Sequence, residues 1–285
     1  MVSSQRDTLL RQFIDVHVHA TPQAVFDDPA VDAVVIATPN EQHAPLAIAA
    51  LAAGKHVLVD KPFALDVAQA EAVQAAARGA GRIATVFQNR RFDADFLTLQ
   101  RLLSDGTLGS VAECHAHFDR FRPQVRDRWR EQDGPGSGLW YGLGPHLLDQ
   151  MLVLFGMPQA IDADLAVQRD GSSGIDYFHA VLQYPRHRAI VHAGSLVAAP
   201  TPRFAVHGSA GSWIKHGLDV QEAQLRRGGR RRVRPAGAST RGMASCCAAM
   251  QRTTCSAAPW TTCRVTTGGC MRSSPRRCTA RANRR

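Results

Sequence analysis

No run of about 18 apolar residues occurs in this 285-residue sequence, so no membrane-spanning helix is expected. The opening stretch MVSSQRDTLLRQF lacks the apolar segment and small-residue cleavage site of a secretory signal, which predicts a soluble, cytoplasmic protein with no membrane partner. Acidic residues are missing from the last 60 positions, as are Lys, Leu, Ile, Phe, Tyr and His. Those positions hold 15 Arg and six of the seven Cys, so the formal net charge of +10 is a property of the tail. Residues 1–225 contain all 24 Asp and Glu and sum to −5, which argues against a nucleic-acid partner for the body of the chain.

The two Val and one Trp of residues 226–285 cannot offset the entropy of ordering a backbone, so an unstructured tail is expected there. A basic arm for phosphate backbones is one reading of it. Zinc binding is disfavoured because Cys246, Cys247, Cys255, Cys263, Cys270 and Cys278 form no C-x-x-C pair and have no His nearby. The preferred reading is a GC-rich coding region translated out of frame, which re-sequencing the gene would check.

In the body, Val31 to Ala37 is a β-branched run, apolar on both faces, of the kind found in a central parallel strand. A helix over Glu41 to Ala53 capped by Gly54, a strand from His56 to Val59, a helix from Asp66 to Arg78 and a strand from Ile83 to Phe87 complete a βαβαβ order. Such alternation specifies a parallel sheet with right-handed crossovers and ligands at the carboxyl ends of the strands. The pattern then changes. A helix over Phe92 to Ser104, a strand from Val111 to Asp119, a glycine-rich loop and a helix from Pro145 to Phe155 precede five strand-like stretches between Ile161 and Lys215. The fold class is therefore α/β, an incomplete doubly wound parallel sheet followed by an α+β domain with a mixed or antiparallel sheet. The divisions expected are 1–87, 88–225 and 226–285.

Three strand ends converge on one edge: Thr38, Pro39, Asn40 and His43; Asp60, Lys61 and Pro62; and Gln88, Asn89, Arg90 and Arg91. Hydroxyl, amide and cationic groups there suit a polar ligand, although Thr38 or Asn40 could equally cap the following helix. A lysine beside such a ligand can serve as acid, base or electrostatic stabiliser. His146 and Asp149, spaced i, i+3, share a helix face and could form a proton-transferring pair. Asp15-Val-His17-Val-His19 offers two His on one side of a strand, the opening metal motif of amidohydrolases, but no barrel alternation or further ligands follow, and no metal site is assigned.

The segments TPNEQHAPLAIAALAAGKHVLVDKP, FQNRRFDADF, GTLGSVAECH and GSGLWYGLGPHLLDQ resemble the Gfo/Idh/MocA family of NAD(P)-dependent oxidoreductases. The likeness runs from about Thr21 to Leu225. It implies a Rossmann domain, NAD or NADP as cofactor, and hydride transfer to or from a carbon bearing a hydroxyl on a sugar or polyol. It also implies contacts between copies of the chain through the sheet of the second domain.

By this resemblance Thr38, Pro39, Asn40 and His43 match a cofactor segment, and Asp60, Lys61 and Pro62 match the cofactor-binding E-K-P signature, in which the acidic residue and the lysine contact the nicotinamide ribose and the lysine assists proton transfer. The resemblance also implies that Gln88 and Asn89 lie near the cofactor and that His146, matching the histidine of a D-x-x-x-H signature, contacts the substrate hydroxyl. The carboxylate four residues before that histidine is replaced by Gly142. No glycine precedes Gly54, so the G-x-G-x-x-G cradle that holds a pyrophosphate at a helix N-terminus is not found. Low cofactor affinity and low activity are therefore expected, with a noncatalytic binding or scaffolding protein as the alternative.

Overall fold

The computed structural model describes residue 2 and residues 6–12, 16–226 and 244–247. Two short helices come first, α1 (Arg6–Gln12) and α2 (Pro22–Phe26). Thr21 starts α2 by accepting the Ala24 N–H at 3.2 Å, with Pro22 at the first helical position. Phe26 at its end is buried in the first core.

The expected βαβαβ unit follows. Strands β1 (Ala33–Ile36), β2 (His56–Asp60) and β3 (Ala84–Phe87) pair in parallel in that order. They are joined by α3 (His43–Ala52) and α4 (Val67–Ala80). Asp66 caps α4 through the Gln69 N–H at 2.7 Å, and Gly81, at φ +61°, ends it.

Both helices pack on one face of the sheet, against Val34, Ile36, Val57, Val59 and Ala84. On the other face Val35 is 68% exposed, so the two-sided burial expected of β1 is not found among the described residues. Crossover handedness supplies the reason. Successive right-handed crossovers moving in one direction across a sheet deposit their helices on the same side.

The second sheet is mixed, in the order β10-β9-β8-β4-β7-β6-β5. Its strands are β4 (Val111–His117), β5 (Ala160–Ala166), β6 (Tyr177–Gln183), β7 (Arg188–Gly194), β8 (Pro202–Gly208), β9 (Gly211–His216) and β10 (Ala244–Cys247). Only the β4–β7 pair is parallel. Helices α5 (Ala94–Ser104) and α6 (Gly138–Phe155) cover one face. Phe96, Leu99, Leu147 and Met151 interlock there with Phe178, Val191, Phe204 and Trp213. A short α7 (Gln221–Arg226) ends the body.

Two expectations are corrected here. Helix α6 begins at Gly138, seven residues before the Pro145 start read from the sequence, because Leu139, Trp140 and Leu143 pack on the second core and hold a glycine-rich turn in helical form. Within residues 226–285, Ala244–Cys247 form a strand, since the antiparallel edge of β9 supplies main-chain partners that need no apolar side chains. The remainder of the expected unstructured tail lies outside the described residues.

The body cores are built from residues before 226. Deleting residues 226–285 is accordingly expected to leave the far-UV circular dichroism of the remainder, scaled per residue, largely unchanged. A cooperative loss of structure on truncation would contradict this.

Candidate functional site

Parallel strands of one sheet end on the same edge, so the loops after β1, β2 and β3 lie side by side. After β1, Thr38 and Pro39 lead into a 3₁₀ turn over Asn40–Gln42 and then into α3. The buried Asn40 amide donates to the Gly136 carbonyl at 2.8 Å and so ties this loop to the approach to α6. Gly136 has φ +76°, and a Cβ there would lie 2.5 Å from Leu65 Cδ2 and 3.0 Å from Asn40 Cβ. The approach therefore requires glycine. The buried His43 ring faces the Pro62 carbonyl through Nδ1 at 2.7 Å and the Thr38 carbonyl through Nε2 at 3.0 Å, fastening the first strand end to the second.

After β2, Asp60 Oδ1 accepts the Lys61 N–H at 2.8 Å. The half-buried Lys61 precedes a cis bond to Pro62 and donates from Nζ to the Gly142 carbonyl of α6 at 2.6 Å. Burial brings its pKa down to about 8; Asp60 opposes the change, while Arg130 and Arg90 add to it. After β3, Gln88 leads into a 3₁₀ turn over Asn89–Phe92 in which Asn89 is exposed. Both Gln88 Oε1 and Thr38 Oγ1 are buried without a hydrogen-bond partner.

From α6, His146 packs edge-on against Phe118 with ring centres 6.4 Å apart, and its Nδ1 is buried and unpartnered. Burial first, then the charges of Lys61, Arg90 and Arg203, lowers its pKa to about 3, so the imidazole is neutral at ordinary pH. The His146–Asp149 pair expected from helical spacing does not form. Arg91 takes the Asp149 carboxylate in a two-pronged contact, Nε at 2.7 Å and Nη2 at 2.5 Å, on the loop after β3.

The metal motif fares differently from the strand ends. Residues 16–19 are not in a strand; His17 and His19 stack edge-on at 4.4 Å, and His19 Nε2 faces Asp28 at 3.4 Å. Among the described residues no group of three or more His, Cys, Asp or Glu is placed to hold a metal ion.

Sequence reading missed a second layer behind His146. Gln150, fully buried on α6, donates to the Arg90 carbonyl at 3.0 Å and accepts from Arg203 Nη2 at 2.7 Å. The buried Arg203 guanidinium lies 4.0 Å from the Phe118 ring centre and 4.1 Å from that of Phe204. Its pKa falls to about 10 through burial, against the pull of Asp95 and Asp93. A polar residue within the apolar runs LLDQMLVL and PRFAVHG is the signal that could have found both.

An amine that loses its proton near pH 8, beside a neutral buried imidazole at the carboxyl edge of a parallel sheet, can accept a proton from a hydroxyl and hold that hydroxyl in place. Residues 2–88 match the family described as the oxidoreductase family, NAD-binding Rossmann fold, and residues 100–238 match its C-terminal alpha/beta domain. The chain belongs to the Gfo/Idh/MocA oxidoreductase family. It is 54% identical over 231 residues to the uncharacterized oxidoreductase YdgJ of Escherichia coli K12, covering 81% of this chain and 67% of that one. It is 39% identical over 228 residues to the NADP(+)-dependent scyllo-inositol 2-dehydrogenase IolW of Bacillus subtilis, covering 80% of this chain and 64% of that one.

Among solved structures, a Yersinia pestis protein assigned as an oxidoreductase aligns with TM-score 0.79 and 49% identity over 85% of this chain and 69% of its own. The chain thus spans about two thirds of the length of the curated relatives it matches. The family match reaches beyond Thr21–Leu225 at both ends. It also confirms the α/β reading, a Rossmann-like parallel sheet followed by a mixed sheet, and it sets aside the amidohydrolase alternative.

Proposed function

We propose that this chain is an NAD(P)-dependent oxidoreductase that moves hydride between a nicotinamide and a hydroxyl-bearing carbon of a sugar or polyol. The observation that carries this reading is the placement of Lys61 and His146 together at the carboxyl edge of the family's NAD-binding sheet. The residues suit the nicotinamide-ribose end of the cofactor, because Thr38 Oγ1, Gln88 Oε1 and His146 Nδ1 are buried polar atoms that lack a partner. Thr38, Pro39, Asn40, Asp60, Pro62, Gln88 and Asn89 would surround it, with His43 holding the first two loops together. When bound, the nicotinamide accepts or returns a hydride.

The chain's own residues manage the proton. Neutral Lys61 takes it from the substrate hydroxyl at Nζ, and His146, uncharged and fixed against Phe118, positions that hydroxyl by a hydrogen bond. IolW is named for a polyol substrate and levoglucosan dehydrogenase of Pseudarthrobacter phenanthrenivorans for a sugar derivative, which supports a small polyhydroxylated substrate. No helix among the described residues is long and apolar enough to cross a membrane. A cytoplasmic location and pairing of copies through the uncovered face of the second sheet complete the proposal.

The test is a fluorescence titration with NADH and NADPH, followed by polyol-dependent reduction of the oxidised cofactor across pH. Because Lys61 must be neutral to accept a proton, kcat/KM for oxidation should rise with pH, pass its midpoint near 8 and level off above it. A rate that does not change with pH on either side of about 8 would remove Lys61 from the role. The second reading, a noncatalytic relative, is favoured by Gly142 in place of a carboxylate. A folded sample with no saturable cofactor binding would decide for it.

A further inference from the structure

The loop between β4 and α6 carries Arg120, Arg122, Arg126, Arg128 and Arg130, and of its four acids Asp119, Asp127 and Glu131 are engaged by neighbours while Asp133 is exposed. Glu131, buried, takes Arg128 Nε at 2.7 Å, Arg169 Nη1 at 3.0 Å and the Arg126 N–H at 3.1 Å. Asp176 takes Arg169 Nε at 2.8 Å. Asp119, at the start of the loop, is held by His192 and Thr201, each at 2.7 Å. Asp127 accepts from the Gln132 amide at 2.9 Å.

Arg120 is left half-buried with no hydrogen bond or ion pair to its guanidinium among the described residues. Its backbone is fixed on both sides, the N–H donating to the Gly194 carbonyl and the carbonyl accepting the Val197 N–H, each at 3.0 Å. The charges that face it are Arg122, Arg128 and Arg90, together with Glu222, which Arg90 already engages at 3.4 Å. Arg90 is in turn an electrostatic neighbour of Lys61 and His146. Arg90, paired with Asp93 at 3.3 Å as well as with Glu222, lies 5.7 Å from the ring of Phe118, which packs on His146 and stands two residues before Arg120, so the Arg120 loop leads from the groups assigned to the hydroxyl. A cation that is partly desolvated among like charges is unfavourable until an anion joins it.

We infer that Arg120 and Arg122 hold an anionic substituent of the substrate, so that the preferred substrate is a sugar or polyol bearing a carboxylate or phosphate. The inference rests on the oxidoreductase reading only for the identity of the group that reacts. Calorimetric titration of the 285-residue chain with two matched pairs tests it: D-gluconate against D-glucitol, and D-glucose 6-phosphate against D-glucose. One anionic member should bind at least about tenfold more tightly than its neutral partner, and the pair that shows the difference distinguishes carboxylate from phosphate. Arg120→Gln should remove most of that ratio and leave the neutral member's affinity unchanged. Arg122→Gln provides the same readout if the first variant fails to fold, and Arg126→Gln, exposed on the same loop, should retain the ratio.

Equal binding within both pairs would overturn the inference. So would an anion preference that survives both Arg120→Gln and Arg122→Gln, or a loss of NADPH affinity in Arg120→Gln with gluconate and glucose 6-phosphate unaffected. Anion preference without nicotinamide binding would sustain the anion site and retract the oxidoreductase reading. Nicotinamide binding without anion preference would do the reverse.

Discussion

Replacing Lys61 by Ala should lower kcat for polyol oxidation by about 10² to 10⁴, the usual contribution of a positioned acid or base. Cofactor affinity should change far less, because the ammonium donates to the Gly142 carbonyl rather than reaching the other strand ends. The fold should tolerate the change. Ala loses one hydrogen bond, worth about 1 kcal/mol, but it also relieves the burial that lowers the Lys61 pKa to about 8. The sign of the linkage follows from that value. Between about 8 and 10.5 an unfolded lysine is protonated and the folded one is not, so folding loses stability as pH falls through that window, and Lys61→Ala abolishes this dependence. Steady-state rates at saturating cofactor, read beside circular dichroism, make the measurement. A variant that retained turnover within a few-fold of the parent would place the proton acceptor elsewhere.

The parallel half of the fold was legible because its signals are local. The run VDAVVIA, the Ala-rich helix and the turn at Gly54 each point to one element, and β1, α3, β2, α4 and β3 follow within two or three residues of the expected bounds. The start of α6 was not legible. Gly134, Gly136 and Gly138 read as a loop leading to a helix from Pro145, yet Trp140 packs edge-on to Phe178 at 5.3 Å and Leu143 joins the same core. Tertiary burial thus overrides poor helix propensity. That error concealed the setting of Gly142, which is a helical position four residues before His146.

The candidate site divides in the same manner. Lys61 at a strand end and His146 on a helix could be named from the sequence, and the resemblance supplied their expected roles. The Gln150–Arg203 contact joins residues 53 apart in the chain, and it arises only when α6 crosses β8. Asp149 shows the opposite failure. Helical spacing brought it to the His146 face, but Arg91 on another loop makes the better-matched partner, since a guanidinium offers a carboxylate two parallel donors and a neutral imidazole at most one.

Gly142→Asp is expected to raise kcat by up to about 10² to 10⁴ by placing a carboxylate beside the proposed proton acceptor. Space permits it: a Cβ at Gly142 meets no heavy atom within 4 Å. Helical order permits it as well, because Asp is no worse than Gly within a helix. The new side chain shares the face of His146 one turn away and branches from the residue whose carbonyl holds Lys61 Nζ at 2.6 Å. A negative charge there stabilises the ammonium and the imidazolium alike, so the pKa values of Lys61 and His146 should rise from about 8 and about 3. The pH at which oxidation levels off should move upward with Lys61. Gly142→Asn separates charge from shape, since it fills the same space and gives the helix a similar propensity. If the Asp variant turned over no faster than the Asn variant at any pH, a carboxylate at 142 would have no part in the proton path, and the neutral Lys61–His146 pair would be the complete apparatus.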